Sequence, residues 1–141
     1  MKNYELIEHT ADIRIRVKGK DLKELFKNSA LAVFDIIAQT KSGVRGQGSG
    51  VKNITIKQKA DNLEELFVNW LNELLSLSSV EELIFSDFQI AEIGENNLEA
   101  IAIGNSTANY RVNTEIKAAT YHQLGIKKIP SGWQAEVIFD V

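Results

Sequence analysis

Carboxylates near the two ends of the sequence are the first candidates for chemistry. Asp12 lies at the edge of a segment with strand-like alternation. Asp140 is one residue from Val141, whose α-carboxylate would add a second negative group at the end of the sequence. Carboxylates held close together favour hard cations such as Ca²⁺, Mg²⁺ or Mn²⁺. Asp12 and Asp140 are 128 positions apart, so the residues alone do not show that they meet, and ordinary exposed acids are the alternative.

Other residue types that carry chemistry are scarce. The sequence has no cysteine and two histidines, which excludes disulfides, thiolate zinc sites, Fe–S clusters and cysteine nucleophiles. His9 belongs to the polar cluster Glu8-His9-Thr10-Ala11-Asp12, where a structural role and a site role are equally open. For His122 the ordinary interpretation is a hydrogen-bonded position in a sheet. No serine lies in a nucleophile elbow, so a metal-dependent hydrolase lacks a nucleophile beside the acids.

A glycine-rich segment, SGVRGQGSG, runs from Ser42 to Gly50. A P-loop needs Lys followed by Ser or Thr after its last glycine, and a dinucleotide fingerprint needs a helix at that point. Here Gly50 leads into Val51, Lys52 and a predicted strand. The pattern therefore favours a connection between two structural units over a phosphate-binding loop.

These candidates must be positioned by the elements around them, and the first is a strand followed by a helix. Apolar and polar residues alternate over 13–18, which predicts a half-buried strand. Asp21 and Glu24 have the spacing of a capping box, and an apolar stripe at helical spacing then runs from Leu22 to Ile37.

The same unit occurs a second time, displaced by 41 residues. Residues 54–56 alternate, and a helix is predicted from Leu63 to about Leu77. The displacement superimposes Ile13 on Ile54, Ile15 on Ile56, Lys18 on Lys59, Leu22 on Leu63, Glu24-Leu25-Phe26 on Glu65-Leu66-Phe67, and Asn28 on Asn69. Asp12 falls on Asn53, so the acid is not repeated.

The rest of the sequence predicts strands. They cover Glu82–Ile93, Leu98–Ile103, one or two strands within Val112–Ala119 and Tyr121–Lys127, and Trp133–Val141. Asn96-Asn97 predicts a hairpin turn, and Pro130-Ser131-Gly132 a turn before the last strand. We therefore expect one α+β domain over residues 1–141, with two long helices packed on a largely antiparallel sheet and built partly from the duplicated unit.

Composition narrows the functional classes. Apolar residues make up 44% and charged residues 25% of the chain, which is typical of a folded domain and argues against intrinsic disorder. The net charge of −3 does not favour tight direct binding to nucleic acid, which calls for a basic surplus. The sequence begins without the apolar core of a signal peptide and has no membrane-length apolar run, so we expect a cytoplasmic protein.

The sequence resembles the archease family in five segments that follow the family's order and spacing. They are YELIEHTADIRIRVKG, DLKELFKNSALAVFDI, LEELFVNWLNELL, EIKAATYHQL and WQAEVIFDV. The pieces EHTAD and the final FDV are the most diagnostic, and the resemblance covers nearly the whole chain. One stretch departs from the family: Gly104–Tyr110 lacks the acids and the histidine that many relatives carry there.

The resemblance implies an accessory protein of the tRNA-splicing RNA ligase, not an enzyme. In the family, archease promotes guanylylation and multiple turnover of the ligase that joins 2′,3′-cyclic-phosphate or 3′-phosphate RNA ends to 5′-hydroxyl ends. Family members bind a divalent cation, assigned as calcium, through the positions of Asp12, Asp140 and Val141. The alternative is a general chaperone or modulator of RNA-modifying enzymes, which an exposed apolar patch would favour.

Overall fold

The computed structural model describes residues 3–9, 12–40 and 51–141. In chain order the elements are β1 (Tyr4–His9), β2 (Asp12–Gly19), α1 (Leu22–Ile37), β3 (Ala38–Thr40), β4 (Lys52–Lys59), α2 (Leu63–Glu81), β5 (Leu83–Ile93), β6 (Asn97–Ser106), a 3₁₀ turn (Thr107–Asn109), β7 (Tyr110–Val112), β8 (Ala118–Ile129) and β9 (Gly132–Asp140). The predicted α+β class is confirmed. Neither helix of this described part is long and apolar enough to cross a membrane.

The strands of the described residues pair antiparallel, as predicted, and they are divided among three sheets. The first sheet has the order β1-β2-β9-β8, the second has the order β4-β6-β5, and β3 pairs with β7. Each helix contacts strands of both larger sheets. The helices therefore lie between the two sheets, and each of these sheets turns its other face away from the helices.

The capping box predicted at the start of α1 is present, and the start of α2 has a second one with matching geometry. The Asp21 side chain accepts a hydrogen bond from the Glu24 main-chain N–H at 2.8 Å, and Asn62 accepts one from Glu65 at the same distance. Each glutamate carboxylate in turn accepts from the N–H of the residue before the cap, at 2.9 and 3.1 Å. These reciprocal bonds satisfy main-chain donors that a helix start leaves without partners, and they support the duplication.

The duplication extends beyond the strand and helix to the sheets. Each unit consists of a strand, a helix and, later in the chain, a hairpin of two strands. The last strand of the hairpin pairs with the strand that precedes the helix. The first unit is β2, α1, β8 and β9; the second is β4, α2, β5 and β6. The second unit is thus inserted into the first along the chain, between β3 and β7.

The two units meet through equivalent residues. The rings of Phe26 and Phe67 lie edge to face with centroids 5.2 Å apart. The Trp70 indole N–H donates to the Phe26 main-chain carbonyl at 3.0 Å, and all three side chains are fully buried. Aromatic side chains carry a large share of the burial energy in a core, so this contact joins the two copies into one hydrophobic core.

Three local expectations need correction. Tyr4–His9 is a strand that we did not predict. The sequence did not reveal it, because the register shift between Leu6 and Glu8 breaks the alternation typical of a strand. The predicted strand Val112–Ala119 is interrupted at residues 113–117, where the N–H groups of Asn113 and Thr114 donate to the Ile37 carbonyl. Helix α2 runs one turn past Leu77, to Glu81.

The end of α2 provides a stability test. Glu82 is exposed and left-handed, with φ 53° and ψ 52°, a conformation that costs a side chain but not glycine. We expect Glu82→Gly to raise the free energy of unfolding by about 0.5 kcal/mol, after allowing for the greater chain entropy of glycine. Urea denaturation measures the change.

Glu81→Gly is the matched control, because it removes the same charge from the last residue of α2. It should lower the free energy of unfolding by about 0.5 kcal/mol, since glycine is a poor helix former. A loss of stability in both variants would contradict the analysis of Glu82.

Candidate functional site

Asp12 and Asp140 lie directly opposite each other across the β2–β9 ladder. In an antiparallel sheet such partners share a face, with Cβ atoms about 5 Å apart. On the other side of β9, Asp140 is opposite Ala118 of β8. We call Asp12 and Asp140 the acid pair. It forms the last row of the first sheet, at the end of β9.

Within the described part of the chain, the acid pair forms no ion pair with a cationic side chain. Asp140 is exposed and Asp12 is half-buried. Like charges directly opposite each other in a sheet are destabilising. The arrangement is therefore one that a bound cation would stabilise.

The donor atoms at this row are all oxygens. Within the described part of the chain no three His, Cys, Asp or Glu residues group closely enough to hold a metal ion, so the side chains supply two carboxylates. Val141 follows Asp140 directly, and its main-chain oxygen is the next donor in line. The Asp140 carbonyl is already occupied, because the Lys117 N–H donates to it at 2.8 Å. This donor set fits Ca²⁺, Mg²⁺ or Mn²⁺ and does not fit a thiolate or imidazole metal site.

A charged network occupies the same outward face two rows away. The Arg16 guanidinium donates to Glu136 at 2.9 Å and to Glu5 at 3.1 Å. The hydrogen bond and charge of Glu136, more than those of Glu5, raise the pKa of Arg16 above its ordinary value. The Arg16 guanidinium therefore interacts with Glu136 and Glu5, and it forms no ion pair with the acid pair.

The remaining candidates from the sequence are not brought to the acid pair. The His9 side chain and the segment Ser42–Gly50 lie outside the described residues. His122 lies in β8, which confirms the predicted sheet position. Its side chain is exposed and forms no hydrogen bond with another described residue, so the expected side-chain bond is absent from that part of the chain. It belongs to a bulge of β8, where the register jumps between Thr120 and Gly125 and Gln123 has φ 52°.

The divergent segment Gly104–Tyr110 has a structural explanation. The buried Asn105 side chain accepts from the Ser106 N–H at 2.8 Å and from the Asn109 amide at 3.0 Å. The Ser106 hydroxyl accepts from the Ala108 N–H at 3.1 Å. Amide and hydroxyl groups here fold the chain into a capped 3₁₀ turn, a role that does not need acids or a histidine.

Asn72 of α2, to which no sequence motif assigns a role, contacts β8 next to the acid pair. Its side-chain amide donates to the Ala119 carbonyl at 3.2 Å, and its oxygen accepts from the Ala119 N–H at 2.7 Å. The sequence repeat does mark this position, because the 41-residue displacement places Asn72 on Leu31. A polar residue in α2 thus replaces an apolar one in α1.

The acid pair makes a prediction that separates repulsion from cation binding. In buffer containing a chelator, Asp12→Asn and Asp140→Asn should each raise the free energy of unfolding by about 0.5 kcal/mol, because each removes one of two opposed charges. Added Ca²⁺ should raise the melting temperature of the wild type but not of either variant, because a ligand stabilises only the state that binds it. Thermal denaturation with and without Ca²⁺ measures both effects.

A second opposed pair of acids is a built-in control. Glu92 and Glu99 face each other across β5 and β6 in the second sheet. Unlike the acid pair, this one is compensated, because Lys57 pairs with Glu99 at 3.2 Å. Glu92→Gln should therefore not gain stability in chelator, and it should keep the full response to Ca²⁺. If Asp12→Asn and Asp140→Asn lose stability in chelator, the acids are held by favourable contacts and the repulsion argument is wrong.

Comparison with known proteins places this geometry in a family. The archease protein family (MTH1598/TM1083) matches residues 4–141. Protein archease of Methanosarcina acetivorans is 41% identical, over 99% of this chain and 97% of the relative. The solution structure of Methanobacterium thermoautotrophicum protein 1598 superimposes with a TM-score of 0.74 at 28% identity, covering 100% of both chains.

A crystal structure from Thermotoga maritima, described as an archease and possible chaperone, shares the fold. Its TM-score is 0.64 at 21% identity, over 97% of this chain and 96% of the other. The family match and the Methanosarcina relative both span nearly the whole chain. The chain therefore belongs to the archease protein family.

Proposed function

We propose that this protein activates the tRNA-splicing RNA ligase. It promotes guanylylation of the ligase and its multiple turnover in joining 2′,3′-cyclic-phosphate or 3′-phosphate RNA ends to 5′-hydroxyl ends, and it has no catalysis of its own. The observation that carries the proposal is the acid pair, two carboxylates that are directly opposed at a sheet end and form no ion pair with another described residue.

Asp12, Asp140 and the main-chain oxygen of Val141 are the groups that would hold a divalent cation, with Ca²⁺ the first expectation. A bound divalent cation supplies neutralisation of the charge that develops on phosphate oxygens during nucleotidyl transfer. The carboxylates hold the site at an exposed sheet end, where a partner protein can approach it. Asp140 supplies the accessible oxygens, and Asp12, being half-buried, fixes the position from the neighbouring strand.

The charge of the protein suits a protein partner better than RNA. A chain with a net charge of −3 gains little from phosphate contacts, which are the main source of affinity for nucleic acid. It is attracted to a basic RNA-binding enzyme and does not compete for its RNA. We therefore propose the ligase itself as the partner and expect no tight direct binding to RNA.

A general chaperone is the second candidate, because the Thermotoga relative is described as a possible one. Client binding calls for a contiguous apolar surface. The large exposed apolar residues among those described are Leu6, Ile7, Val51, Val80, Val112 and Tyr121. Apart from the neighbours Leu6 and Ile7 they come from different segments of the chain, so their exposure alone does not favour the chaperone.

The test is transfer of labelled GMP from GTP to the cognate ligase, with the protein at substoichiometric amounts. Wild type should accelerate guanylylation. Asp12→Asn and Asp140→Asn should each reduce that stimulation by at least about tenfold, the order expected when a group that stabilises transition-state charge is lost. Glu92→Gln, which alters the opposed acids of the second sheet, should stimulate like wild type.

Three results would contradict the proposal in different ways. Equal stimulation by wild type and both acid variants would locate the working surface elsewhere. No stimulation by folded wild type would reject the activator and favour the chaperone, which suppression of client aggregation would then test. Phosphate release from GTP by the protein without ligase would show an enzyme.

A further inference from the structure

We propose that Asn72 of α2 is a positioning residue for the acid pair, acting through β8 and the end of β9. This inference rests on the proposed function in one respect, the cation at the acid pair. Asn72 lies on a helix and touches neither acid, so its effect must be transmitted along main-chain hydrogen bonds, and each step of that route is present in the structure.

The first step is the contact between Asn72 and Ala119. The side-chain amide pairs with both main-chain polar groups of Ala119, at 3.2 and 2.7 Å. Because β8 is an edge strand of the first sheet, the amide occupies the place where a further strand would pair. Among the described residues, no other α2 side chain forms a hydrogen bond to β8.

The second step leads from β8 to the acids. On one side of Ala119, the Lys117 N–H donates to the Asp140 carbonyl at 2.8 Å. On the other side, the Thr120 hydroxyl donates to the Ile138 carbonyl at 2.9 Å. The last residues of β9 are therefore held by the part of β8 that Asn72 fixes, and Asp12 meets Asp140 from the opposite side.

Local opening is the process that Asn72 opposes. A cavity of about 670 Å³ is lined by Asn72, Lys117 and Ala118 together with the exposed Val80. Solvent therefore lies next to the hydrogen bonds that hold the start of β8. Sheet edges and strand ends are the parts of a fold that open at the lowest free energy. Loss of the amide should release Lys117–Ala119 first, and Asp140 would then lose its support from β8.

Amide hydrogen exchange tests this route without a cation. In Asn72→Ala, exchange of the Lys117 and Ala119 N–H groups should accelerate by about tenfold, as expected for loss of local hydrogen bonding, while the amides of β4 and β6 keep their wild-type protection. Asn62→Ala, which removes the α2 N-cap, is the control. It weakens the same helix but should leave Lys117 unchanged.

Calcium binding tests the functional consequence. By titration calorimetry, Asn72→Ala should weaken Ca²⁺ binding by about tenfold, the smaller end of what loss of an outer hydrogen bond does to metal affinity, and Asn62→Ala should leave it unchanged. If Asn72→Ala fails to fold, Asn72→Asp replaces it in the exchange experiment. Its carboxylate keeps the acceptor for the Ala119 N–H but loses the donor, so an intermediate acceleration is expected.

The outcomes are distinguishable. Unchanged Lys117 exchange in Asn72→Ala, or equal effects of Asn72→Ala and Asn62→Ala on exchange at Lys117, would overturn the positioning role. Faster exchange with unchanged Ca²⁺ affinity would overturn it as well, because Asn72 would then stabilise β8 without influencing the acids. If wild type binds no Ca²⁺, the cation in the proposed function fails, and the exchange comparison still decides whether Asn72 holds the end of the sheet.

Discussion

The register of the β2–β9 ladder is the constraint on which the site depends. Ile13, Ile15 and Val17 are fully buried, and so are Ala135, Val137 and Phe139, their partners across the ladder. A shift by one residue would turn one of these apolar sets to solvent, so burial fixes the pairing. Asp12 precedes the first buried residue of β2, and Asp140 follows the last one of β9. Their opposition on the outward face is therefore imposed by the core.

The inserted duplicate shows that the acids are not a by-product of the scaffold. The row equivalent to the acid pair contains Asn53 opposite Ile103, in the same antiparallel register. The second unit thus has the same capping arrangement, helix and hairpin, with neither acid at the equivalent row. Asp87 is the other partner of Ile103 and is paired with Lys27 at 3.4 Å. The two units therefore share one architecture but differ in charge at this row: the first unit has two opposed carboxylates, and the second has one carboxylate that is paired with a lysine.

Local patterns in the sequence predicted both helices, the cap of α1 and the hairpin between β5 and β6, because short-range hydrogen bonds and periodicity determine them. Other features depend on distant contacts. The bulge in β1 hides its alternation, and residues 113–117 follow the end of α1, to which Asn113 is bonded. The sequence resemblance identified Asp12 and Asp140, but only the ladder shows them opposed. The role of Asn72 depends on where β8 passes α2, which no local pattern encodes.

The position of the acid pair at the end of a central strand also determines what kind of site it is. Along the ladder, main-chain oxygens are occupied by neighbouring strands, and even the Asp140 carbonyl accepts from Lys117. Past the last row, the next main-chain oxygen after Asp140 is that of Val141. Two carboxylates and one main-chain oxygen fall well short of the six to eight oxygens that Ca²⁺ prefers. Under the proposed function, a cation held by these groups would leave positions open for water or for the phosphate oxygens of a partner's nucleotide. Such a site would suit a cation that is bound transiently and presented to another protein's active centre. A permanent structural metal requires a fuller set of protein ligands.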